Sequence, residues 1–195
     1  FIGTSPLHRE FQVKLSKDEV LDKVFDTVTF AKSFCDDIQW SPMDATRTEE
    51  EFLVEVVKIA IQAGASTINI PDTVGYTAPK ESANIIKNLF LKIPELKDVT
   101  VSTHCHNDLG MATANSLAAV EAGARQVECT INGLGERAGN TALEEIVMAL
   151  KVRKDILPYE TNMITNKLIQ ASRLVSKVSG FPVQFNKAVV GKNAF

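Results

Sequence analysis

The feature of this sequence that most constrains its fold is a strand–helix alternation that repeats about every thirty residues. Short apolar segments typical of buried strands begin at residues 38, 67, 99 and 126, which are 29, 32 and 27 residues apart. Each is followed by a loop and then by a helical apolar stripe. Repetition of such βα units predicts a parallel sheet covered by helices, and therefore the α/β class.

The same pattern predicts where the elements lie. We expect strands over residues 38–40, 67–70, 99–103 and 126–130, and residues 1–6 are typical of the end of a further buried strand. We expect helices over residues 48–63, 79–93, 111–122 and 142–153. A longer amphipathic helix over residues 164–179 follows after the repeat has ended, so it belongs to a separate segment.

Two architectures satisfy this pattern, a doubly wound sheet and a TIM (β/α)8 barrel. No G-x-G-x-x-G motif follows the first strands, and the polar, unusual residues all follow strand carboxyl ends, where barrel active sites lie. We therefore predict a partial barrel, roughly strands 4 to 8, over residues 1–157 and the start of a linker subdomain over residues 158–195. The chain begins without methionine and ends without a polar tail, so we expect a piece of a longer protein.

Composition excludes several classes of function. The 195 residues are 45% hydrophobic, and 21 lysines and arginines stand against 24 aspartates and glutamates, which gives a net charge of −3. This balance excludes intrinsic disorder and predicts no binding to nucleic acid or to a membrane. The three cysteines form no C-x-x-C pair, which favours a reducing compartment, so we expect a soluble cytoplasmic protein.

Two of the three histidines follow the strand expected at residues 99–103, in the segment His104-Cys105-His106-Asn107-Asp108. Residues i and i+2 of a strand point to one face, so both imidazoles can reach the same point. Such a pair is typical of metal ligation. The alternative is two strand-end histidines whose rings bind backbone carbonyls.

A glycine-rich loop over residues 132–140 follows the strand expected at residues 126–130. Its glycines allow sharp turns and a close approach of the backbone to a ligand. Glu136 and Asn140 can supply a base or oxygen ligands there. Alternatively, Asn140 caps the next helix, with Thr141 and Glu144 as a capping box, and its oxygen is then not free.

Polar residues also follow the strands expected at residues 38–40 and 67–70. The segments are Ser41-Pro42-Met43-Asp44 and Ile70-Pro71-Asp72-Thr73-Val74-Gly75. Asp72 and Thr73 offer oxygens to a small polar substrate, and the alternative for both segments is an ordinary turn.

Other polar residues have simpler interpretations. We expect His8 to be an exposed loop residue rather than a ligand, and the acidic run at residues 49–51 to be the solvated start of a helix. Cys105 and Cys129 are expected to be small buried residues rather than nucleophiles.

Together, five ordered segments resemble the α-isopropylmalate synthase and homocitrate synthase family of metal-dependent barrel enzymes. The segments are Thr4-Ser5-Pro6, Ser41-Pro42-x-Asp44-Ala45-x-Arg47-Thr48, Asn69-Ile70-Pro71-Asp72-Thr73-Val74-Gly75, His104-x-His106-Asn107-Asp108-Leu109-Gly110 and Asn132-Gly133-x-Gly135-Glu136-Arg137-x-Gly139-Asn140. The resemblance covers nearly the whole chain. Within the family, residues 69–75 and 186–191 are most similar to the members that act in leucine biosynthesis.

The resemblance implies an acyltransferase that condenses acetyl-CoA with the 2-oxo acid 3-methyl-2-oxobutanoate and then hydrolyses the thioester. It implies a divalent metal, Mg²⁺, Mn²⁺ or Zn²⁺, with a monovalent cation such as K⁺, and the metal polarises the 2-oxo acid carbonyl. It also implies a homodimer. Homocitrate or citramalate synthase of the same family is the first alternative, and a catalytically silent half-barrel is the second.

The resemblance also implies roles for individual residues. The metal would be ligated by His104, His106 and Asn140, and Glu136 would be the catalytic residue beside it. The residues that would line the 2-oxo acid pocket are Ser41, Asn69, Pro71 and Thr73.

Three departures from the family pattern accompany the match. The family's Arg-Asp pair on the first barrel strand, whose Asp ligates the metal, has no counterpart here, and neither do the family's histidines beyond the end of this segment. Met43 stands where the family usually has glutamate. A thioether cannot do a carboxylate's acid–base work, so we expect either that this glutamate is dispensable or that activity is weakened.

Overall fold

The computed structural model describes residues 1–194 as alternating strands and helices. The strands are β1 (Ile2–Gly3), β2 (Gln39–Trp40), β3 (Pro42–Met43), β4 (Thr67–Asp72), β5 (Thr100–Cys105) and β6 (Gln126–Glu128). The helices are α1 (Lys17–Lys32), α2 (Glu50–Gln62), α3 (Pro79–Lys92), α4 (Ala112–Ala122), α5 (Leu143–Val152) and α6 (Leu168–Ser179). Within residues 1–194, no helix is both long and apolar enough to cross a membrane.

The strand pairings are parallel, as the strand–helix alternation predicts. One sheet has the order β2, β4, β5, β6, and β1 pairs with β3. Because only Ser41 separates β2 from β3, the two are halves of one extended segment that changes partner. The lateral order is therefore β1, residues 39–43, β4, β5 and β6, and it follows the order of the chain.

Side chains at the two outer strands of the four-stranded sheet show that it is strongly curved. Gln39 of β2 donates a hydrogen bond to Glu128 of β6 and accepts one from Gln126 at 2.7 Å. Since β4 and β5 lie between these strands, a flat sheet would hold the two backbones about 14 Å apart, three strand spacings. The sheet therefore bends around these side chains.

The convex face of the sheet packs against the helices. Trp40, Ile68 and Ile70 lie in the same core as Phe52 and Val56 of α2, and none is more than 4% exposed. Each such side chain contributes about 1.5–3 kcal/mol through burial. The concave face carries mostly polar side chains instead, namely Gln39, Ser41, Asn69, Ser102, His104, Gln126 and Glu128.

Local sequence signals set the helix ends. Ser16 and Glu19 form a reciprocal capping box at the start of α1, and Pro79 occupies the first turn of α3. Gly123 and Gly180 end α4 and α6 with φ values of 128° and 75°, a region that glycine adopts without a Cβ clash.

The predicted βα order is confirmed, although several boundaries shift. The strand expected at residues 67–70 extends to Asp72, the one expected at residues 126–130 ends at Glu128, and the last helix begins at Leu168 after a short turn. The sequence pattern does not predict α1. Its buried stripe consists of three valines, while Phe25 and Phe30 on the same helix are exposed, so the apolar periodicity is weak.

Candidate functional site

His104 and His106 lie at the carboxyl end of β5, where their imidazoles meet. Their Nε2 atoms are 3.0 Å apart, and the ring centroids are 4.8 Å apart. His106 is 7% exposed, and its burial, together with the neighbouring His104, lowers its pKa below the ordinary value. Within residues 1–194 neither ring binds a backbone carbonyl. Two nitrogens directed at one point are therefore available to a cation.

Asn140 pairs with His106 through an antiparallel bridge, which brings the glycine-rich loop beside the imidazoles. Its Oδ1 atom is buried without a hydrogen-bond partner among the described residues, while its Nδ2 donates to the Leu134 carbonyl at 3.3 Å. An unpartnered buried polar atom costs about 1–3 kcal/mol. A bound cation would offset that cost.

The alternative role of Asn140 as a helix cap is wrong. α5 begins three residues later, at Leu143, and no side chain caps it. The Thr141 hydroxyl contacts backbone carbonyls of β5 and α4, and the Glu144 carboxylate accepts the Asn132 N–H at 3.0 Å. Thr141 and Glu144 therefore form other hydrogen bonds instead of a capping box. Because α5 begins only at Leu143, the Asn140 oxygen does not cap it and remains free.

The donors brought together here suit a divalent metal. Imidazole nitrogens and a side-chain amide oxygen are common ligands of such ions. In the part of the chain that the structure describes, no three His, Cys, Asp or Glu side chains form a group that could hold a metal. The described residues therefore fit one side of a metal site.

Three of the residues implied for the 2-oxo acid pocket share the concave face with His104. The Asn69 side chain donates a hydrogen bond to the Ser41 hydroxyl at 3.1 Å, and Asn69 Oδ1 is buried without a partner in residues 1–194. Pro71 lies two residues beyond Asn69 and pairs in register with His104. Asn69 thus lies one strand away from the imidazoles, and Ser41 lies two strands away.

Thr73 and Asp72 bind neighbouring loops instead. The Thr73 hydroxyl accepts the Asp44 N–H at 2.9 Å. Asp72 is 2% exposed, and its carboxylate accepts hydrogen bonds from the Thr77 N–H and hydroxyl at 3.1 and 2.6 Å and from the Thr46 hydroxyl at 3.2 Å. Asp72 therefore holds the turn after β4 and has little capacity left for a substrate.

Glu136 lies at the outer rim of the glycine-rich loop. Its side chain is 79% exposed and lies 3.7 Å from the Arg137 guanidinium. Arg137 has a φ of 53° and donates hydrogen bonds to both Asp108 oxygens, at 2.7 and 2.9 Å, and to the Thr73 carbonyl at 2.7 Å. It thereby connects the loops that follow β4, β5 and β6. Sequence reasoning does not single out Arg137, although it is adjacent to Glu136.

Met43 lies on β3 at the same mouth. Side chains alternate along a strand, so Met43 shares the concave face of Ser41. Its backbone carbonyl accepts the Thr4 N–H at 3.1 Å, which fixes the strand, and its side chain is half-buried. The site therefore presents an uncharged thioether at this position.

One expectation outside the site is wrong, and another holds only in part. His8 is half-buried in a helical turn and packs against Gly3, where an added Cβ would come within 2.6 Å of the His8 Cβ. Glu50 and Glu51 form the exposed first turn of α2, as expected. Glu49 is not merely solvated, because hydrogen bonds from the Arg9 guanidinium, assisted by Lys17, lower its pKa to about 2. His8 also lies 3.9 Å from Asp44, and Glu49 binds Arg9. Local patterns do not reveal such contacts between segments distant in sequence.

Cys105 is buried and Cys129 is half-buried, and neither has the features of a nucleophile. Burial raises the pKa of the Cys105 thiol and raises that of Cys129 to about 11. Both are therefore protonated near neutral pH and are poor nucleophiles.

Comparison with known proteins decides the family. A family model described as HMGL-like matches residues 1–175. The chain belongs to the HMGL-like family. The 2-isopropylmalate synthases of Rhodopirellula baltica and Methylorubrum populi are 56% and 52% identical to this HMGL-like chain over 195 residues. The alignments cover 100% of the chain but only 37% and 38% of those two relatives.

Solved structures agree on the HMGL-like fold. The hydroxymethylglutaryl-CoA lyase of Pseudomonas aeruginosa matches with a TM-score of 0.78 at 18% identity, over 94% of this chain and 63% of the lyase. The HMG-CoA lyase of Brucella melitensis matches with a TM-score of 0.74 at 18% identity, over 91% of this chain and 65% of that one. At these identities the likeness shows a shared α/β fold alone.

Proposed function

We propose that residues 1–195 are the later part of the catalytic domain of a 2-isopropylmalate synthase. The main support for this proposal is the 56% identity to such a synthase along the whole chain. The facing imidazoles of His104 and His106 also support it. The proposed reaction condenses acetyl-CoA with 3-methyl-2-oxobutanoate and hydrolyses the thioester to give 2-isopropylmalate and CoA. This is the first committed step of leucine biosynthesis.

In this proposal the curved sheet is an arc of a (β/α)8 barrel. Residues 1–157 supply roughly strands 4 to 8, and residues 158–195 begin the linker subdomain. The bonds from Gln39 to β6 support the barrel because they require strong curvature. The complete protein is proposed to be a cytoplasmic homodimer.

His104, His106 and Asn140 would hold the divalent metal, Mg²⁺, Mn²⁺ or Zn²⁺, and a monovalent cation such as K⁺ would accompany it. When bound, the metal would act as a Lewis acid on the carbonyl of the 2-oxo acid. The facing Nε2 atoms and the unpartnered Asn140 oxygen support this ligand set.

The substrate residues have distinct proposed tasks. Asn69 and Ser41 would orient the 2-oxo acid through hydrogen bonds, which the unpartnered Asn69 Oδ1 supports. Pro71 would supply an apolar wall beside His104. Thr73 would shape the rim through its bond with the Asp44 backbone.

A base must remove a proton from the acetyl methyl group before the new carbon–carbon bond forms. Met43 cannot do so, because a thioether does not exchange protons near neutral pH. Glu136 is the carboxylate of this segment that we assign to act beside the metal. Its exposed position leaves it free to meet a substrate entering the mouth.

A hybrid enzyme tests this function. Residues 1–195 replace the aligned 195 residues of the Rhodopirellula baltica synthase, so that the rest of that protein is kept. CoA release is followed with a thiol reagent, using 3-methyl-2-oxobutanoate, 2-oxoglutarate or pyruvate as acceptor. We expect release that depends on 3-methyl-2-oxobutanoate and falls at least roughly 100-fold in His104→Ala. Preference for 2-oxoglutarate or pyruvate would instead indicate homocitrate or citramalate synthase.

The Met43→Glu variant distinguishes a catalytic site with weakened activity from one with no activity. General acid–base catalysis typically contributes about 10²–10⁴-fold, so we expect the restored carboxylate to speed CoA release at least roughly tenfold. If neither the folded hybrid nor Met43→Glu releases CoA with any acceptor, the segment is catalytically silent and the proposed function is wrong.

A further inference from the structure

A chain of polar side chains lies on the concave face beside His104. Gln126 donates to Gln39 Oε1 at 2.7 Å, Gln39 Nε2 donates to Glu128 Oε1, and Glu128 Oε2 lies 2.8 Å from His104 Nδ1. The residues come from β2, β5 and β6, and Glu128 is paired in register with His104. The contact therefore follows from strand register rather than from a flexible loop.

The donors and acceptors in this chain of contacts determine how the Gln39 amide and the Glu128 carboxylate are oriented. Because Gln126 uses the Gln39 oxygen as acceptor, the Gln39 amide must direct its nitrogen at Glu128. This occupies one carboxylate oxygen and leaves the other for the imidazole. A glutamate carboxylate is ionised near neutral pH at its ordinary pKa, and here its two oxygens face Gln39 and His104.

An ionised carboxylate beside Nδ1 determines where a neutral imidazole keeps its proton. The proton is favoured on Nδ1, next to the negative charge, and Nε2 then carries the free lone pair. Nε2 is the atom that faces His106. Glu128 Oε2 lies within ion-pair distance of His104 Nδ1, although the two atoms are not aligned as a hydrogen bond. No carboxylate of the described chain lies within ion-pair distance of His106, so the two rings are held differently.

We propose that Glu128 is a positioning residue that fixes the tautomer and orientation of His104 for metal binding, with Gln39 and Gln126 holding Glu128 in place. The inference rests on the proposed function, since it concerns the same metal site. Glu128 acts through His104 and has no assigned contact with the substrates.

Metal affinity is the first test. Mn²⁺ alone is titrated calorimetrically into the metal-free hybrid and its Glu128→Gln variant, without substrates. Loss of a carboxylate behind a ligating histidine typically weakens metal binding about 10–100-fold, and we expect a weakening in that range. The matched control is Glu121→Gln, the same change at an exposed position of α4, which should leave Mn²⁺ affinity unchanged. Equal affinity of the parent and Glu128→Gln would overturn the proposal.

The histidine tautomer is the second test, and it does not depend on whether Glu128→Gln folds. Solid-state ¹⁵N NMR of the histidine-labelled, metal-free parent should show His104 protonated on Nδ1, with assignment by difference from His104→Asn. A His104 proton on Nε2 would overturn the proposal even if Glu128→Gln fails to fold.

The two proposals fail separately. Mn²⁺ binding that depends on Glu128, in a hybrid that releases no CoA, would contradict the synthase function and support the positioning role. CoA release by a hybrid whose Mn²⁺ affinity does not change in Glu128→Gln would support the synthase function and contradict the positioning role.

Discussion

His104 Nε2 and His106 Nε2 lie 3.0 Å apart at the carboxyl end of β5. In two neutral rings so placed, one nitrogen must donate and the other accept, whereas a shared cation can bind the lone pairs of both. We expect His104→Ala and His106→Ala each to weaken Mn²⁺ binding to the hybrid at least roughly 100-fold, measured by calorimetry.

The third histidine gives a control for this prediction. His8→Ala should bind Mn²⁺ as the parent does, because His8 packs against Gly3 and lies 3.9 Å from Asp44, away from the pair. Equal losses in all three alanine variants would indicate a general folding defect, and no loss in any would contradict the metal site.

Arg137 should prove irreplaceable by lysine. Its guanidinium binds Asp108 through two parallel hydrogen bonds and also reaches the Thr73 carbonyl, a geometry that an ammonium group cannot reproduce. We expect Arg137→Lys to lower CoA release about as much as Arg137→Ala. A double-mutant cycle with Asp108→Asn should give a coupling energy of about 1 kcal/mol, the upper end for partly exposed pairs. Full activity of Arg137→Lys would show that only the charge matters.

The ion pair between Arg9 and Glu49 should make stability depend on pH in the acid range. The pKa of Glu49 is lowered from its ordinary value of 4.5 to about 2 in the folded chain, so the pair stabilises the fold above pH 4.5. That contribution is lost as the pH falls from 4.5 towards 2. Urea unfolding of the hybrid between pH 2 and pH 6 should show a smaller acid loss in Glu49→Gln than in the parent. Identical pH profiles would contradict this.

Lys187 should hold the C-terminal segment against α5. Glu144 is 2% exposed and accepts the Asn132 N–H, while Lys187 Nζ lies 3.6 Å from its other oxygen and also contacts Glu145. Removing this cation leaves a buried charge. We expect Lys187→Met to cost about 2 kcal/mol, below the 3–5 kcal/mol of fully buried pairs because the lysine is 22% exposed.

Hydrogen exchange measures this effect locally. Protection of the Asn132 amide should fall roughly 30-fold in Lys187→Met and should partly return when Glu144→Gln is added. Lys177→Met, at an exposed position of α6, is the control. Unchanged protection in Lys187→Met would show that Glu144 does not need the lysine.

Local sequence patterns predicted the parts of the site that depend on spacing along one strand. The i, i+2 spacing of His104 and His106 indicates a shared face, and the structure brings their Nε2 atoms together. The role of Asn140 stayed open because it depends on where α5 begins. That boundary is set by Thr141, which contacts carbonyls in β5 and α4 that lie far away in the sequence.

Contacts across the sheet could not be predicted from the same patterns. Glu128 belongs to no motif, and its contact with His104 depends on the register between β5 and β6 and on Gln39, 89 residues earlier. α1 was missed for a related reason. Its buried face consists of only three valines. The helix is therefore held by tertiary contacts with α2 rather than by a strong apolar stripe.

Product analysis follows the proposed condensation itself. The hybrid that carries residues 1–195 is incubated with Mn²⁺, 3-methyl-2-oxobutanoate and acetyl-CoA labelled with ¹³C in both acetyl carbons, and the products are identified by mass spectrometry. We expect 2-isopropylmalate that carries both labelled carbons and that disappears in His104→Ala. Unlabelled or absent 2-isopropylmalate from a folded, Mn²⁺-binding hybrid would contradict the proposed condensation.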